Sequence, residues 1–355
     1  LPFPANPLRA ALLVGSLAAL GCAAEPERTA TARHLVVVSL DTTRADYLGA
    51  YGNPWVSTPR IDALARESVV FDALKVAAPT TLASHVSLFT GAYPLHHGTP
   101  RNGFTVHPDN VMLAEILRDA GFHTAGFVAS FALESRFGFA QGFAHYDETF
   151  DRLVGDAGAD QNQRRADAVT DAAIAYLDAL DSGRGVPNLF LFVHYFDPHA
   201  PYDAPSPWNA RYGPEAERDA PPPDDIGALP GFPPPDPERV RALRRSYAAE
   251  ISFTDHHVGR LLDALRERGL LDESVVLLTS DHGENLGEHD GRFDHGFHTF
   301  ETTMRGVAMV RLPGARLGGG HITRVASSVD LLPTLLAQLG LRAPEGLDGV
   351  AIDLE

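Results

Sequence analysis

With Cys22 as its only cysteine, the chain has no means of forming an internal disulfide, so neither stability nor redox compartment can be argued from cross-links. Positive charge is also scarce. Lys and Arg number 29 against 46 Asp and Glu, a formal net charge of −17. Non-specific nucleic-acid binding depends on neutralising phosphates with basic side chains, so this balance argues against it. An anionic substrate would need a local cation, because the field at a site follows the nearest charges more than the total. No internal repeat is visible, and the composition suits neither a membrane-spanning bundle nor a disordered tail. What remains is 355 residues with 44% hydrophobic content, enough for one large α/β domain or a domain with a small appendage.

The amino terminus reads as a targeting segment. Arg9 precedes the apolar stretch Ala10–Leu20, then come Gly21-Cys22 and a polar spacer over 23–33. A stretch of this length suits an export signal better than a membrane span. Cys22 stands where a bacterial lipoprotein would carry its lipid, although Ala19-Leu20-Gly21 places leucine one position late. The expectation is a signal peptide over 1–22, export to the periplasm, and a membrane attachment through lipid on Cys22. The alternative is an ordinary exported protein with an incidental cysteine.

Three apolar runs end abruptly in residues that bind metals: His34–Leu40 runs into Asp41, Leu189–Phe196 into Asp197-Pro198-His199, and Val275–Ser280 into Asp281-His282. Such runs suit parallel strands whose carboxyl ends converge on one crevice. The intervening segments alternate with them. Helices are expected at Arg60–Val70, Leu82–Thr90, Asn110–Ala120, Gln161–Leu180, Glu238–Arg268 and Ser328–Leu339, with further strands at Thr124–Ala129 and Val307–Leu312. Residues 200–237 are so rich in proline that an irregular excursion is expected there, and 281–298 form a Gly- and His-rich loop. The predicted architecture is α/β, a mostly parallel sheet flanked by helices on both faces.

A candidate nucleophile lies after Pro79. The apolar pattern following Thr81 predicts a helix beginning there, where backbone N–H groups and the positive end of the helix dipole converge. A metal-bound hydroxyl at that point can attack a phosphoryl or sulfuryl centre. Alone, Thr80 or Thr81 would read simply as a helix N-cap.

The combination of segments changes that balance. Val37-Val38-Ser39-Leu40-Asp41-Thr42-Thr43-Arg44-Ala45-Asp46, Thr81 through Gly98, Thr279-Ser280-Asp281-His282-Gly283-Glu284-Asn285, Arg311-Leu312-Pro313-Gly314 and Val329-Asp330-Leu331-Leu332-Pro333-Thr334 resemble, in order, the motifs of the sulfatase family of the alkaline phosphatase superfamily. The resemblance covers residue 34 to the end and implies that family's fold. It implies Asp41, Asp281 and His282 as metal ligands together with Thr81, which falls where sulfatases carry the residue oxidised to formylglycine. His85 replaces an arginine that supports the nucleophile. His199 and His295 match residues that contact the transferred group. Many relatives continue into a smaller carboxyl-terminal subdomain, so that part is expected to be missing or the sequence to be a fragment.

The departures matter as much. Threonine cannot become formylglycine, and Thr42 replaces the second aspartate of the family's Asp-Asp pair. The resemblance therefore points to the threonine-nucleophile branch and to one divalent cation, Mn²⁺, Zn²⁺, Ca²⁺ or Mg²⁺, with His282 tilting the choice toward Mn²⁺ or Zn²⁺. A second metal at Asp197, His199, His295 and His298 is the less favoured arrangement. Other histidines, among them His96, His97, His107, His256, His257 and His321, read as surface or packing residues, and Asn102 as a turn or pocket residue. Three functions stay open: a hydrolase of anionic esters, favouring phosphate monoesters, diesters or phosphonates over sulfates; a transferase of phospho-substituents onto a cell-envelope acceptor; and a non-catalytic binding protein. The intact metal and nucleophile set ranks the last one third.

Overall fold

A computed structural model describes residues 32–150, 163–180, 186–213 and 236–355. The expected signal peptide, Cys22, nearly all of the spacer, the start of the helix placed at Gln161 and residues 214–235 of the proline-rich excursion lie outside them. In chain order the elements are β1 (His34–Leu40), α1 (Pro59–Arg66), β2 (Val69–Phe71), β3 (Leu74–Lys75), α2 (Thr81–Thr90), α3 (Pro94–His97), α4 (Leu113–Asp119), β4 (His123–Phe127) and β5 (His145–Asp147). There follow α5 (Ala166–Leu180), β6 (Leu189–Tyr195), α6 (Pro237–Glu267), β7 (Ser274–Ser280), α7 (Glu288–Gly291), α8 (Glu301–Met304), β8 (Arg305–Gly306), β9 (Ala308–Arg311), β10 (Gly320–Ile322), β11 (Ala326–Ser327) and α9 (Leu331–Gln338).

Eight strands form the main sheet in the order β10-β2-β9-β7-β1-β6-β4-β5, and β11-β3-β8 form a small second one. β7, β1, β6, β4 and β5 run parallel, while β9 runs antiparallel to both β7 and β2. The central strands are buried on both faces, which is why they read as continuous apolar runs. On one face Val36, Val38 and Leu40 pack with Ile61 and Leu64 of α1, Val169 of α5 and Ile251 and Leu261 of α6. On the other, Leu35 and Val37 pack with Val86 and Phe89 of α2, Leu113 of α4 and Leu335 of α9. Each such fully buried side chain stabilises the sheet by about 1.5–3 kcal/mol.

The register decides where the chemistry can sit. Leu40 pairs with both Tyr195 and Ser280, so the next residues, Asp41, Phe196 and Asp281, leave the sheet at one level. α2 starts at Thr81 beside them and ends at Gly91, whose φ of 65° satisfies a left-handed cap.

Two sequence expectations are corrected here. The helix expected over Arg60–Val70 stops at Arg66, and Val69–Phe71 is a strand: the Ser68 hydroxyl donates to the Leu64 carbonyl at 2.7 Å and closes the helix, freeing three apolar residues to pair with β9 and β10. The segment expected over Asn110–Ala120 is helical only from Leu113 to Asp119, with Glu115 reaching back to the Met112 amide at 3.1 Å. Among the described residues no helix is long and apolar enough to cross a membrane.

Candidate active site

Asp41, Asp281 and His282 meet at the carboxyl ends of β1 and β7, each fully or almost fully buried. His282 Nδ1–H donates to the Gly283 carbonyl at 2.9 Å, which leaves the lone pair of Nε2 pointing toward Asp281 Oδ2 at 3.4 Å and Asp41 Oδ1 at 3.7 Å. All three of these atoms are buried without a hydrogen-bond partner. Three acceptors turned toward one point repel each other unless a cation lies between them, so this donor set fits a divalent metal ion. Asp281 is held in this orientation by its backbone partners. Its Oδ1 accepts the Thr42 and His282 amides at 3.1 and 2.8 Å, and this keeps Oδ2 turned inward. Gly283 is required next to it, because a Cβ there would lie 2.0 Å from the Thr302 carbonyl oxygen.

The two carboxyls differ in electrostatic state. Burial raises both, but in Asp41 the neighbouring His194, His199 and His282 outweigh it and hold the group well below the usual carboxylate range. In Asp281 burial and then the charge of Asp41 push the group far upward. Two such groups at this depth share a proton when no cation is present and release it when one binds.

Thr81 stands at the first turn of α2, 2% exposed, with its hydroxyl 3.4 Å from Asp41 Oδ2. The adjoining amide of Leu82 donates to Asn102 Oδ1 at 2.8 Å, so the loop carrying Asn102 closes the helix end from outside. Thr42 adopts φ of 51°, a left-handed conformation that a β-branched residue rarely takes. The Tyr247 hydroxyl secures it by donating to the Thr42 carbonyl at 2.8 Å while accepting the Arg44 amide at 3.0 Å.

His85 lies beneath the site, fully buried. Its Nδ1–H donates to the Thr81 carbonyl at 2.7 Å and its Nε2 accepts from the Ser39 hydroxyl at 2.8 Å. Burial and the proximity of His194 lower it to about 3, so it is neutral near pH 7 and does not bring the positive charge of the arginine it replaces. His194 was not legible beforehand. It occupies the last inward position of β6 on the α2 face, 3.4 Å from Asp41 Oδ2, and its alternation with Phe190 and Phe192 is the one sequence signal that separates it from the apolar run.

His295 and His199 stand on the outer side. The His295 ring lies 4.5 Å from that of His282 and 5.0 Å from that of His199. Burial would lower His295, but the buried Glu284 carboxylate 3.2 Å from Nδ1 more than compensates and raises it. His199 Nδ1–H donates to the Ala200 carbonyl at 2.7 Å and the ring stacks on Phe196, leaving Nε2 as its available nitrogen. Asp197 does not join them. Its carboxylate turns away and accepts the Ala166 amide at 2.7 Å, which corrects the expectation that all three strand-end carboxylates face one crevice. Among the other histidines, His97 is buried and bonded to Ser87 at 2.9 Å, and His321 pairs with Asp72 at the surface.

A mostly parallel sheet with a carboxylate, imidazole and hydroxyl set at its carboxyl edge defines a sulfatase-like hydrolase of sulfuric or phosphoric esters, and comparisons with known proteins bear on that class directly. The sequence model of the Sulfatase family matches residues 33–341, so the chain belongs to the sulfatase family of the alkaline phosphatase superfamily. It is similar to the ulvan-active sulfatase of Formosa agariphila, 25% identical over 366 residues that cover 96% of this chain and 69% of that one. It is also similar to the arylsulfatase of Clostridium perfringens, 26% identical over 90% of this chain and 77% of that one. The crystal structure of the phosphonate monoester hydrolase of Agrobacterium radiobacter shares the fold, with a TM-score of 0.75 at 22% identity over 90% of this chain and 76% of that one.

Proposed function

We propose that the protein hydrolyses anionic esters, phosphorus esters ahead of sulfate esters, through a covalent intermediate on Thr81, with Asp41, Asp281, His282 and the Thr81 hydroxyl holding one divalent cation. The observation that carries this reading is the buried meeting of three unpartnered ligand atoms beside the Thr81 hydroxyl at the start of α2. The cation, when bound, would lower the pKa of the Thr81 hydroxyl and offset the negative charge of the ester. Asp41 Oδ2 accepts the hydroxyl's hydrogen bond and orients its oxygen for in-line attack. The Thr81 hydroxyl first gives up its proton to solvent, and the bond from Oγ1 to phosphorus then forms as the bond to the leaving oxygen breaks. His295, kept protonated by Glu284, is placed to give that oxygen its proton; His199, which burial lowers in the free site, can do so once the negative charge of the bound ester raises it again. Water then cleaves the phosphothreonine, and the same imidazole that lost its proton accepts one from the water.

Phosphorus is favoured because a phosphothreonine yields to a second in-line attack. A sulfothreonine has no aldehyde hydrate to expel its sulfate, and threonine cannot supply one. Sulfate esters are the second reading, favoured by the names of the relatives above. Transfer onto a cell-envelope acceptor uses the same first half-reaction and differs only in replacing water by a hydroxyl acceptor. Export and lipid attachment at Cys22 rest on the apolar stretch 10–20, and labelling with a radioactive fatty acid in wild type against Cys22→Ser tests them.

The discriminating experiment is a matched panel of aryl phosphate monoesters, diesters, phosphonates and sulfates, assayed on metal-reconstituted wild type and Thr81→Ala. Turnover preserved in the variant removes Thr81 from its role. A preference for sulfates over every phosphorus ester overturns the branch assignment.

A further inference from the structure

Glu250 sits on the buried face of α6 and has no part in the chemistry above, yet it is 1% exposed. Its Oε1 accepts the Asp203 amide at 2.7 Å, and its Oε2, buried without a donor, faces the carboxyl of Asp197. Thr254, one turn further along α6, donates its hydroxyl to the Glu250 carbonyl at 2.9 Å and lies 3.3 Å from that of Asp197. Asp197 and Asp203 are the two ends of the segment whose middle carries His199.

Two ionised carboxylates cannot face each other at this depth, so one of them holds a proton. Burial, followed by the charge of Asp197, pushes Glu250 up to about 10, whereas burial pushes Asp197 only to about 6; each accepts a backbone amide, but only Asp197 also feels a cation, the Arg165 guanidinium. Near neutral pH the proton therefore rests on Glu250, and Asp197 is its acceptor.

We propose that Glu250 is a positioning residue for His199: as a neutral acid it bridges the Asp197 carboxylate and the Asp203 amide, and so holds both ends of the segment that presents the imidazole. The inference rests on the reading of His199 as a proton donor to the leaving oxygen. A neutral bridging acid has an isostere in glutamine, which keeps one donor and one acceptor, whereas leucine keeps neither.

The test compares wild type, Glu250→Gln, Glu250→Leu and His199→Ala, all metal-loaded, on a 4-nitrophenyl ester and a methyl ester of the preferred phosphorus acid. A good leaving group needs no proton and a poor one does, so loss of a positioned donor shows selectively on the methyl ester. Glu250→Gln is expected to stay within about twofold of wild type on both, while Glu250→Leu and His199→Ala lose roughly tenfold or more on the methyl ester than on the nitrophenyl ester, within the range general-acid catalysis supplies. Equal losses on both esters in Glu250→Leu, or a Glu250→Gln variant as impaired as Glu250→Leu, overturn the proposal. A His199→Ala variant without leaving-group selectivity overturns the reading of His199 itself. Infrared difference spectra between wild type and Glu250→Gln judge the bridge without any activity. The carbonyl stretch of a buried carboxylic acid, present in wild type at roughly pH 8 and lost in the variant, supports it, and its absence from wild type refutes it.

Discussion

Replacing Asp281 with asparagine separates the cation from the carboxylate pair, because the substitution reverses sign between the metal-free and metal-loaded protein. Without a cation, Asp281 takes up a proton on folding, since burial and the Asp41 charge raise it. The stability tied to such a group is intact below its unfolded pKa of about 3.9 and declines as pH rises toward the folded value, by up to about 1.4 kcal/mol per pH unit for one proton. Asp41 is shifted the other way, so its contribution falls away only in the acid range below that same value. Glu250, Asp255 and Asp197 are also raised, each with burial as the leading cause, and they add a downward slope common to both proteins. The difference between wild type and Asp281→Asn therefore isolates residue 281. Metal-free Asp281→Asn should be the more stable protein at pH 7, and its advantage should shrink toward pH 5. Its amide oxygen can still accept from Thr42 and His282, and its NH₂ lies where Oδ2 faced the His282 lone pair at 3.4 Å.

Adding cation inverts the order. At a hundredfold excess over Kd, a cation bound only by the folded state stabilises wild type by about 2.7 kcal/mol. This corresponds to roughly 5 °C in Tm for a large domain. Asp281→Asn should respond little. Thermal unfolding across pH 5 to 8, with chelator and with Mn²⁺ or Zn²⁺, reads all of this. A wild type indifferent to cation, or a metal-free Asp281→Asn that is less stable than metal-free wild type at pH 7, refutes the reasoning.

Three further outcomes are expected. Thr81→Ala should lose at least about a thousandfold in kcat and show a reduced thermal response to cation, Thr81→Ser should retain measurable turnover, and mass spectrometry of wild type quenched during turnover should find the phosphoryl group on the peptide containing Thr81. Glu284→Gln removes the carboxylate that raises His295, so the alkaline limb of the pH–kcat profile should move to lower pH; an unmoved limb excludes His295 as the acid. Thr42→Gly should relieve the left-handed backbone and delete a buried, unpartnered hydroxyl, raising stability by about 1 kcal/mol or leaving it unchanged in denaturant titration; a clear loss would show that the Thr42 side chain contributes to the folded state.

The strand ends were legible because a parallel strand covered on both faces is mostly apolar, so Asp41 and Asp281 stand out as the first carboxylates after such runs. Helix α2 was legible for a similar reason, its start fixed by Pro79 and its end by Gly91. The two- and three-residue strands β3, β8, β10 and β11 were not, since nothing so short carries a period. Val69 and Val70 were absorbed into a helix because so short an apolar run suits either element until pairing with β9 and β10 decides. His194 was hidden inside an apolar run. Glu250 and Asp255 were hidden in the opposite way, since a carboxylate within a helical sequence reads as a solvated position until the packing of α6 shows it buried. The direction of Asp197 was equally out of reach, because sequence fixes the level at which a strand ends but not which way its next side chain turns.

A crystal structure of the protein grown with Mn²⁺ or Zn²⁺, with anomalous data collected at that metal's absorption edge, tests the central claim most directly. One strong anomalous peak is expected, bonded at about 2.0–2.3 Å to Asp41, Asp281, His282 Nε2 and the Thr81 oxygen together. A peak elsewhere, or a cation held by the carboxylates with the Thr81 oxygen outside bonding distance, would contradict it.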